Sequence, residues 1–253
     1  MGRGLHATVV DLDSPVHRLD PRVKTVIVIA FVVTVVSTPP DYLSAYVAYA
    51  GLLSWAAALA RLPLRYVIPR AAAVLPFSVL AALWLPFLGT GATIRPCEGW
   101  IELSIPGLWL LIGVIMKSLL GAAALICLAA TTPFAALLDG LRKMGVPVIL
   151  VDILTLTYRY LFVLVEESSR LRRAAAARGY RARWLGQALL IGRLIGQLFV
   201  RSYERAERVH RAMLLRGYRG QMPAAAPRPF GVRDLAALGV VIGILILVRG
   251  VLR

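Results

Sequence analysis

Apolar residues run along this chain in long blocks, separated by short polar breaks. Mainly apolar stretches cover Val23 to Ser37, Tyr42 to Ala60, Val67 to Leu88 and Gly107 to Ala130, with a shorter one at Leu235 to Val248. About 20 such residues make a membrane-spanning helix, so the pattern predicts five spans. The first starts at Asp20-Pro21, an N-cap residue followed by a proline at the first helical position. Thr38-Pro39-Pro40-Asp41 predicts a tight turn. Pro69, Pro76 and Pro86 are expected to kink the third helix, which is tolerated where neighbouring helices cover the freed carbonyls. Gly89 to Pro106 reads as a polar loop.

Between the fourth and fifth apolar runs the pattern predicts three helices of another kind. The first is short: Thr132 is expected to cap it, Pro133 to start it and Gly145 to end it. The second runs from about Pro147 to Ala177, apolar in its first half and charged in its second. About 30 helical residues extend ~45 Å, longer than a bilayer core, so its charged end is expected to project from the lipid. The third runs from about Trp184 to Leu215. Arg201, Glu204, Arg205, Arg208 and Arg211 share one face of it, and Leu198, Ser202, Ala206, Val209 and Met213 another. Glu166 and Arg170, Glu204 and Arg208, and Glu207 and Arg211 are spaced as stabilising helical pairs, the role expected of Glu166 and Glu167.

Charge sharpens this picture. The chain is 59% hydrophobic with a mean hydropathy of +0.74, yet carries a net charge of +16. A membrane protein reconciles the two when the charge sits in one aqueous compartment. Arg142 to Arg219 holds 16 basic residues against 5 acidic ones, most of the chain's excess. Positive-inside orientation then places the N-terminus and the basic block in the cytoplasm, with the 38–41 and 89–106 loops outside. The C-terminus falls outside despite Arg249 and Arg253. Residues 1–22 have no apolar core of the kind a cleavable signal peptide needs.

The most specific local signal is a repeat. Residues 173–181 read Arg-Ala-Ala-Ala-Ala-Arg-Gly-Tyr-Arg, and residues 211–219 read Arg-Ala-Met-Leu-Leu-Arg-Gly-Tyr-Arg. Each copy falls at the end of a long helix. Capping alone explains part of this: Gly179 and Gly217 suit the left-handed position after a helix, and Arg178 and Arg216 suit the negative end of its dipole. Capping does not explain the same four residues twice. Two matching charged helix ends predict two similar acidic acceptor sites, as a dimeric or pseudo-dimeric cytoplasmic partner would offer.

Other chemistry is sparse. Cys97 and Cys127 form no disulfide framework, and with His6, His17 and His210 they show no metal-ligand spacing, so no metal site is expected. A phosphate-binding glycine loop is absent, as is any catalytic Ser-His-Asp or carboxylate pair, so neither ATP hydrolysis nor a catalytic residue is assigned to this chain. Arg159 stands in an apolar stretch, where an ionisable side chain is a functional candidate by default. A paired structural arginine is the competing reading.

These residues resemble a known family. Leu12-Asp13-Ser14-Pro15-Val16-His17-Arg18-Leu19-Asp20-Pro21-Arg22-Val23-Lys24 is similar to the opening signature of the transmembrane T component of energy-coupling factor (ECF) transporters, in its cobalt-type CbiQ branch. Thr132-Pro133-Phe134 with Leu141-Arg142-Lys143-Met144-Gly145-Val146-Pro147 is similar to its first coupling helix, and Thr157-Tyr158-Arg159-Tyr160 to a further stretch. Ala177-Arg178-Gly179 matches the family's paired Ala-Arg-Gly signature. Leu215-Arg216-Gly217 departs from it at Leu215, where a larger side chain replaces alanine.

The resemblance implies an all-α integral membrane protein of about five transmembrane helices plus a cytoplasmic module of three coupling helices, two of them long. Its regions are residues 1–131 (four spans), 132–219 (coupling module) and 220–253 (linker and last span). It implies a coupling subunit for ATP-driven uptake of cobalt, with nickel as the alternative, multi-pass in the inner (cytoplasmic) membrane. The implied partners are two ABC-type ATPase subunits, identical or not, a substrate-binding S component of CbiM type and a small accessory membrane subunit. ATP sits on the ATPases, and no cofactor on this chain. Arg178 and Arg216 would be the anchors, with Pro133, Phe134 and Arg159 in support. A membrane enzyme acting on an anionic lipid or polyprenyl phosphate is the alternative, but lacks a catalytic cluster. A nucleic-acid binder is disfavoured, because the Glu–Arg pairs neutralise part of the basic face.

Overall fold

The computed structural model describes residues 19–88, 93–94, 103–179, 188–220 and 231–251. Their regular structure is helical apart from one two-residue antiparallel pairing, Thr93–Ile94 with Leu103–Ser104, and short turns join the helices. Contacts divide the chain into two compact units, Met1–Gly140 with Arg228–Arg253, and Leu141–Pro227.

In the first unit, α1 (Pro21–Val36) starts where the pattern predicts. The Asp20 carboxylate accepts a hydrogen bond from the Arg22 N–H at 2.9 Å, and Pro21 opens the helix. α2 (Leu43–Leu59) follows the 38–41 turn, which the Tyr46 hydroxyl closes by donating to the Thr38 and Pro39 carbonyls. The predicted third span is not one kinked helix but three pieces, α3 (Leu64–Ala72), α4 (Leu75–Ala82) and α5 (Leu85–Leu88). Pro76 and Pro86 each stand second in their piece. A proline has no N–H to give and its ring clashes with the preceding turn, so the helix restarts there. Pro69 alone remains inside a helix.

α6 (Ile105–Thr131) is the axis of this unit and touches each of α1 to α5. One apolar cluster joins Phe31, Val35, Tyr46 and Tyr49 to Leu120, Ala124 and Leu245; a second joins Ala60, Leu62, Val67 and Ala71 to Ala123 and Ala130. α6 runs antiparallel to α1, and two of the chain's three lysines tie them. Lys24 Nζ donates to the Thr131 carbonyl at 3.2 Å, and Lys117 Nζ to the Val36 carbonyl at 2.9 Å. Each ammonium thus meets the carbonyl-rich, negative end of the other helix. A long stem with a compact charge suits this better than a planar guanidinium. α10 (Val232–Val251) runs parallel to α1, with Asp234 beside Asp20 at one end and Val248 and Arg249 near Ser37 and Thr38 at the other.

α7 (Phe134–Lys143) leads the chain into the second unit. The Thr132 hydroxyl does not cap it: this atom is buried without a hydrogen-bond partner, on extended backbone. α8 (Val148–Ala177) and α9 (Ala188–Leu215) make the second unit and contact each other. By length and composition, Arg65–Ala82, Ile105–Thr131 and Val148–Ala177 can each cross a membrane.

Candidate functional site

The second unit is built around a turn, a crossing and two helix ends. At the turn, Arg142 in the last turn of α7 lies 3.8 Å from the carboxylate of Asp152 on α8. Asp152 is 4% exposed, in a helix whose neighbours are Val151 and Ile153. A buried carboxylate needs a partner, and Arg142 supplies the opposite charge. An isolated Asp in an apolar run is the sequence signal for this contact, which spacing alone does not assign to Arg142.

α8 and α9 meet along the stripe the periodicity predicts. On α9, Leu198, Ser202, Val209 and Met213 are half-buried while most of their neighbours are exposed. Ala206, expected on the same stripe, is exposed. Glu166 pairs with Arg170 at 2.6 Å, Glu207 with Arg211 at 3.0 Å and Glu204 with Arg208 at 3.9 Å, all within their own helices as spaced. Glu167 does more than the helical pairing expected of it. Besides Arg170 at 3.9 Å, it accepts a hydrogen bond from Arg201 of α9 and so ties the two long helices together. A residue 34 positions away cannot be chosen as partner from spacing alone.

The helix ends carry the repeat. α8 ends at Ala177, with Gly179 at φ +81°; α9 ends at Leu215, with Gly217 at φ +82°. Left-handed backbone costs a side chain bearing a Cβ, which is why glycine stands there. At the second copy the motif is complete: Gly217 N–H donates to the Leu214 carbonyl and Tyr218 N–H to the Met213 carbonyl, both at 3.0 Å. At the first, Gly179 N–H donates to the Ala176 carbonyl at 3.0 Å. Tyr180 and Arg181 lie outside the described residues, as does Trp184, the expected start of the third helix. Both glycines take the same left-handed conformation, and Arg178 and Arg216 beside them are exposed. Among the described residues neither guanidinium has an ion-pair or hydrogen-bond partner. Leu215 is 89% exposed, so the larger side chain in place of alanine is not packed against the described residues.

Of the supporting residues, Pro133 and Phe134 sit at the entrance to α7 and are exposed. Arg159 is exposed on α8 and makes no ion pair among the described residues, while its neighbour Tyr158 stacks edge-on against Phe162 at 5.2 Å. The first halves of the long helices expose large apolar side chains, with Ile149 at 64% on α8 and Leu189 and Phe199 at 67% and 69% on α9. No cluster of three or more His, Cys, Asp or Glu able to hold a metal occurs among the described residues. Cys97, His6 and His17 lie outside them. Each long helix thus ends in an exposed arginine beside a left-handed glycine and exposes apolar side chains in its first half.

Comparison with known proteins bears on this arrangement. The family model described as "Cobalt transport protein" (CbiQ) matches residues 13–225. Cobalt transport protein CbiQ of Rhodobacter capsulatus is 32% identical over 235 residues, covering 90% of this chain and 91% of that protein. A protein of Methanocorpusculum labreanum named "Putative fused cobalt transport protein CbiMQ" is 28% identical over 247 residues, 91% of this chain and 39% of that one. The energy-coupling factor transporter transmembrane protein EcfT of Listeria innocua is 28% identical over 224 residues, 82% of each chain.

Proposed function

The chain belongs to the CbiQ family of cobalt transport proteins, and from that premise we propose that its two arginine–glycine helix ends are the points at which ATP-driven movement enters the membrane. It is a multi-pass membrane protein and the transmembrane component of an ECF transporter complex, a transport component rather than an enzyme. Two ABC-type ATPase subunits dock on Arg178 and Arg216. Closure of the ATPases on ATP moves α8 and α9, and that movement reorients a separate substrate-binding subunit. The observation that carries this reading is the pair of similar tips, each a left-handed glycine beside an exposed arginine that is unpaired among the described residues. Ala177 and Leu215 complete the two contact patches.

The exposed apolar roots of α8 and α9 suit a membrane partner, and the fusion of CbiM with CbiQ in the Methanocorpusculum protein supports an S component of CbiM type in that role. A small accessory membrane subunit completes the assembly. Arg159, Pro133 and Phe134 are proposed to support this transmission. The cargo is cobalt by the names of the relatives, with nickel as the alternative. The excess of basic residues around α8 and α9 supports a cytoplasmic side for them and for the N-terminus. No cofactor is assigned to this chain.

The test is charge reversal in the whole complex. Arg178→Glu and Arg216→Glu are expected to weaken retention of the ATPase subunits, or to leave ATP hydrolysis running without metal uptake. A desolvated arginine–carboxylate contact loses roughly 2–5 kcal/mol when one partner is removed, about 30-fold or more in affinity. Full retention together with normal uptake in both variants would overturn the assignment.

A further inference from the structure

One end of the first unit holds a cluster of buried charges that the docking account leaves unused. Asp20, Lys24 and Asp234 are 6%, 6% and 9% exposed. The Asp20 N–H donates to Asp234 Oδ1 and the Gly231 N–H to Asp234 Oδ2, both at 3.1 Å. Asp234 thus closes the start of α10 and, 214 residues along the chain, the start of α1. The Asp20 carboxylate in turn caps α1 through the Arg22 N–H. Four residues on, Lys24 reaches the carbonyl of Thr131, the last residue of α6. Thr132 and Pro133 follow, and then α7. The α7 glycine Gly140 lies against Pro21 and Arg22, where an added Cβ would stand 3.5 Å from both.

Three helix starts and one helix end therefore meet at the point where the chain leaves the first unit. Buried charge is a poor way to gain stability in an apolar bundle, because desolvation offsets most of the attraction. What it supplies is a defined geometry, since each group has few arrangements that satisfy it. Here the fixed element is the α6–α7 corner. We propose that Lys24, held in place by the Asp20–Asp234 link, is a positioning residue for coupling: it locks the α6–α7 corner to α1 and α10, so that movement of the second unit reaches the membrane helices instead of being absorbed in a loose joint. This rests on the coupling function proposed above.

The experiment uses the assembled transporter in membranes and compares three variants. Lys24→Met keeps the length of the side chain and removes the donor. Gly140→Val attacks the same corner from α7 without changing charge. Arg178→Glu reports on the docking reading itself. Complex assembly, ATP hydrolysis and uptake of radioactive cobalt are measured together. Lys24→Met and Gly140→Val are expected to assemble and hydrolyse ATP, with uptake per ATP reduced about ten-fold; Lys24→Arg, which keeps a donor, is expected to recover part of it. If Lys24→Met does not accumulate, Gly140→Val decides. An unchanged uptake-to-hydrolysis ratio in the assembled variants, while Arg178→Glu is defective, overturns the lock and leaves the docking reading standing. Wild-type behaviour of Arg178→Glu overturns the docking reading instead.

Discussion

Replacing Asp152 by alanine tests whether the α7–α8 turn is held by charge or by the apolar residues around it. Asp152 is buried and its partner Arg142 has only 18% of its side chain exposed, at 3.8 Å. Removing one member of a fully buried pair costs about 3–5 kcal/mol, because the survivor keeps its desolvation penalty and loses its attraction. The 3.8 Å separation and the partial exposure of Arg142 lower this, since that guanidinium can recruit water. The expected loss is therefore about 2–3 kcal/mol. Asp152→Asn, which removes the charge but keeps a polar side chain, should cost less. Removing both partners as Arg142→Met with Asp152→Leu should recover most of the loss, because nothing charged is then left buried. Reversible unfolding of the purified protein in mixed detergent micelles, followed by circular dichroism, measures all three. A loss under 0.5 kcal/mol for Asp152→Ala, or a double variant as damaged as the single, would refute the reasoning.

Three further predictions rest on single contacts. Gly107→Ala would place a Cβ 2.5 Å from the Leu85 carbonyl oxygen and 2.7 Å from Pro86 Cα; because both are backbone, a loss of about 1–3 kcal/mol is expected on the same unfolding assay. Arg61 takes the left-handed position after α2 at φ +54°, so Arg61→Gly should relieve about 1 kcal/mol of backbone strain and raise the midpoint of unfolding. A double-mutant cycle on Glu167→Gln and Arg201→Gln should give a coupling energy of about 0.5–1 kcal/mol, falling with salt, and larger than that of the cycle on Glu204 and Arg201.

How far the chain could be read in advance follows the range of each interaction. The start of α1 at Asp20-Pro21, the break between α7 and α8 around Gly145, and the two Arg-Gly ends lie within a few residues of their causes, and they stand where the pattern puts them. The half-buried stripe of α9 was legible for the same reason, since periodicity is local. Pro76 and Pro86 were seen, but whether a proline bends a helix or restarts it depends on what covers the freed carbonyls, which the sequence does not state. Thr132 looked like a cap and is instead a buried hydroxyl on extended backbone. Asp234 on Asp20, Lys24 on Thr131 and Glu167 on Arg201 join residues 34 to 214 positions apart. Lys24 and Asp234 among them, and Asp152 on α8, could still have been marked, as each stands in or beside an apolar helical run.

Exposed pairs such as Glu204–Arg208, with more than half of each side chain in solvent, are expected to add little to stability. They neutralise part of the basic face of α9, and Arg216 beyond them makes no ion pair among the described residues. The measurement that tests the central claim most directly is the number of ATPase subunits retained by this chain in the purified complex. Mass photometry or native mass spectrometry would count them for the wild type, for each single variant and for Arg178→Glu with Arg216→Glu together. Two equivalent docking tips predict two ATPase subunits on the wild type, weakened retention in either single variant and none in the double. Two ATPase subunits held by the double variant at wild-type occupancy would contradict the account.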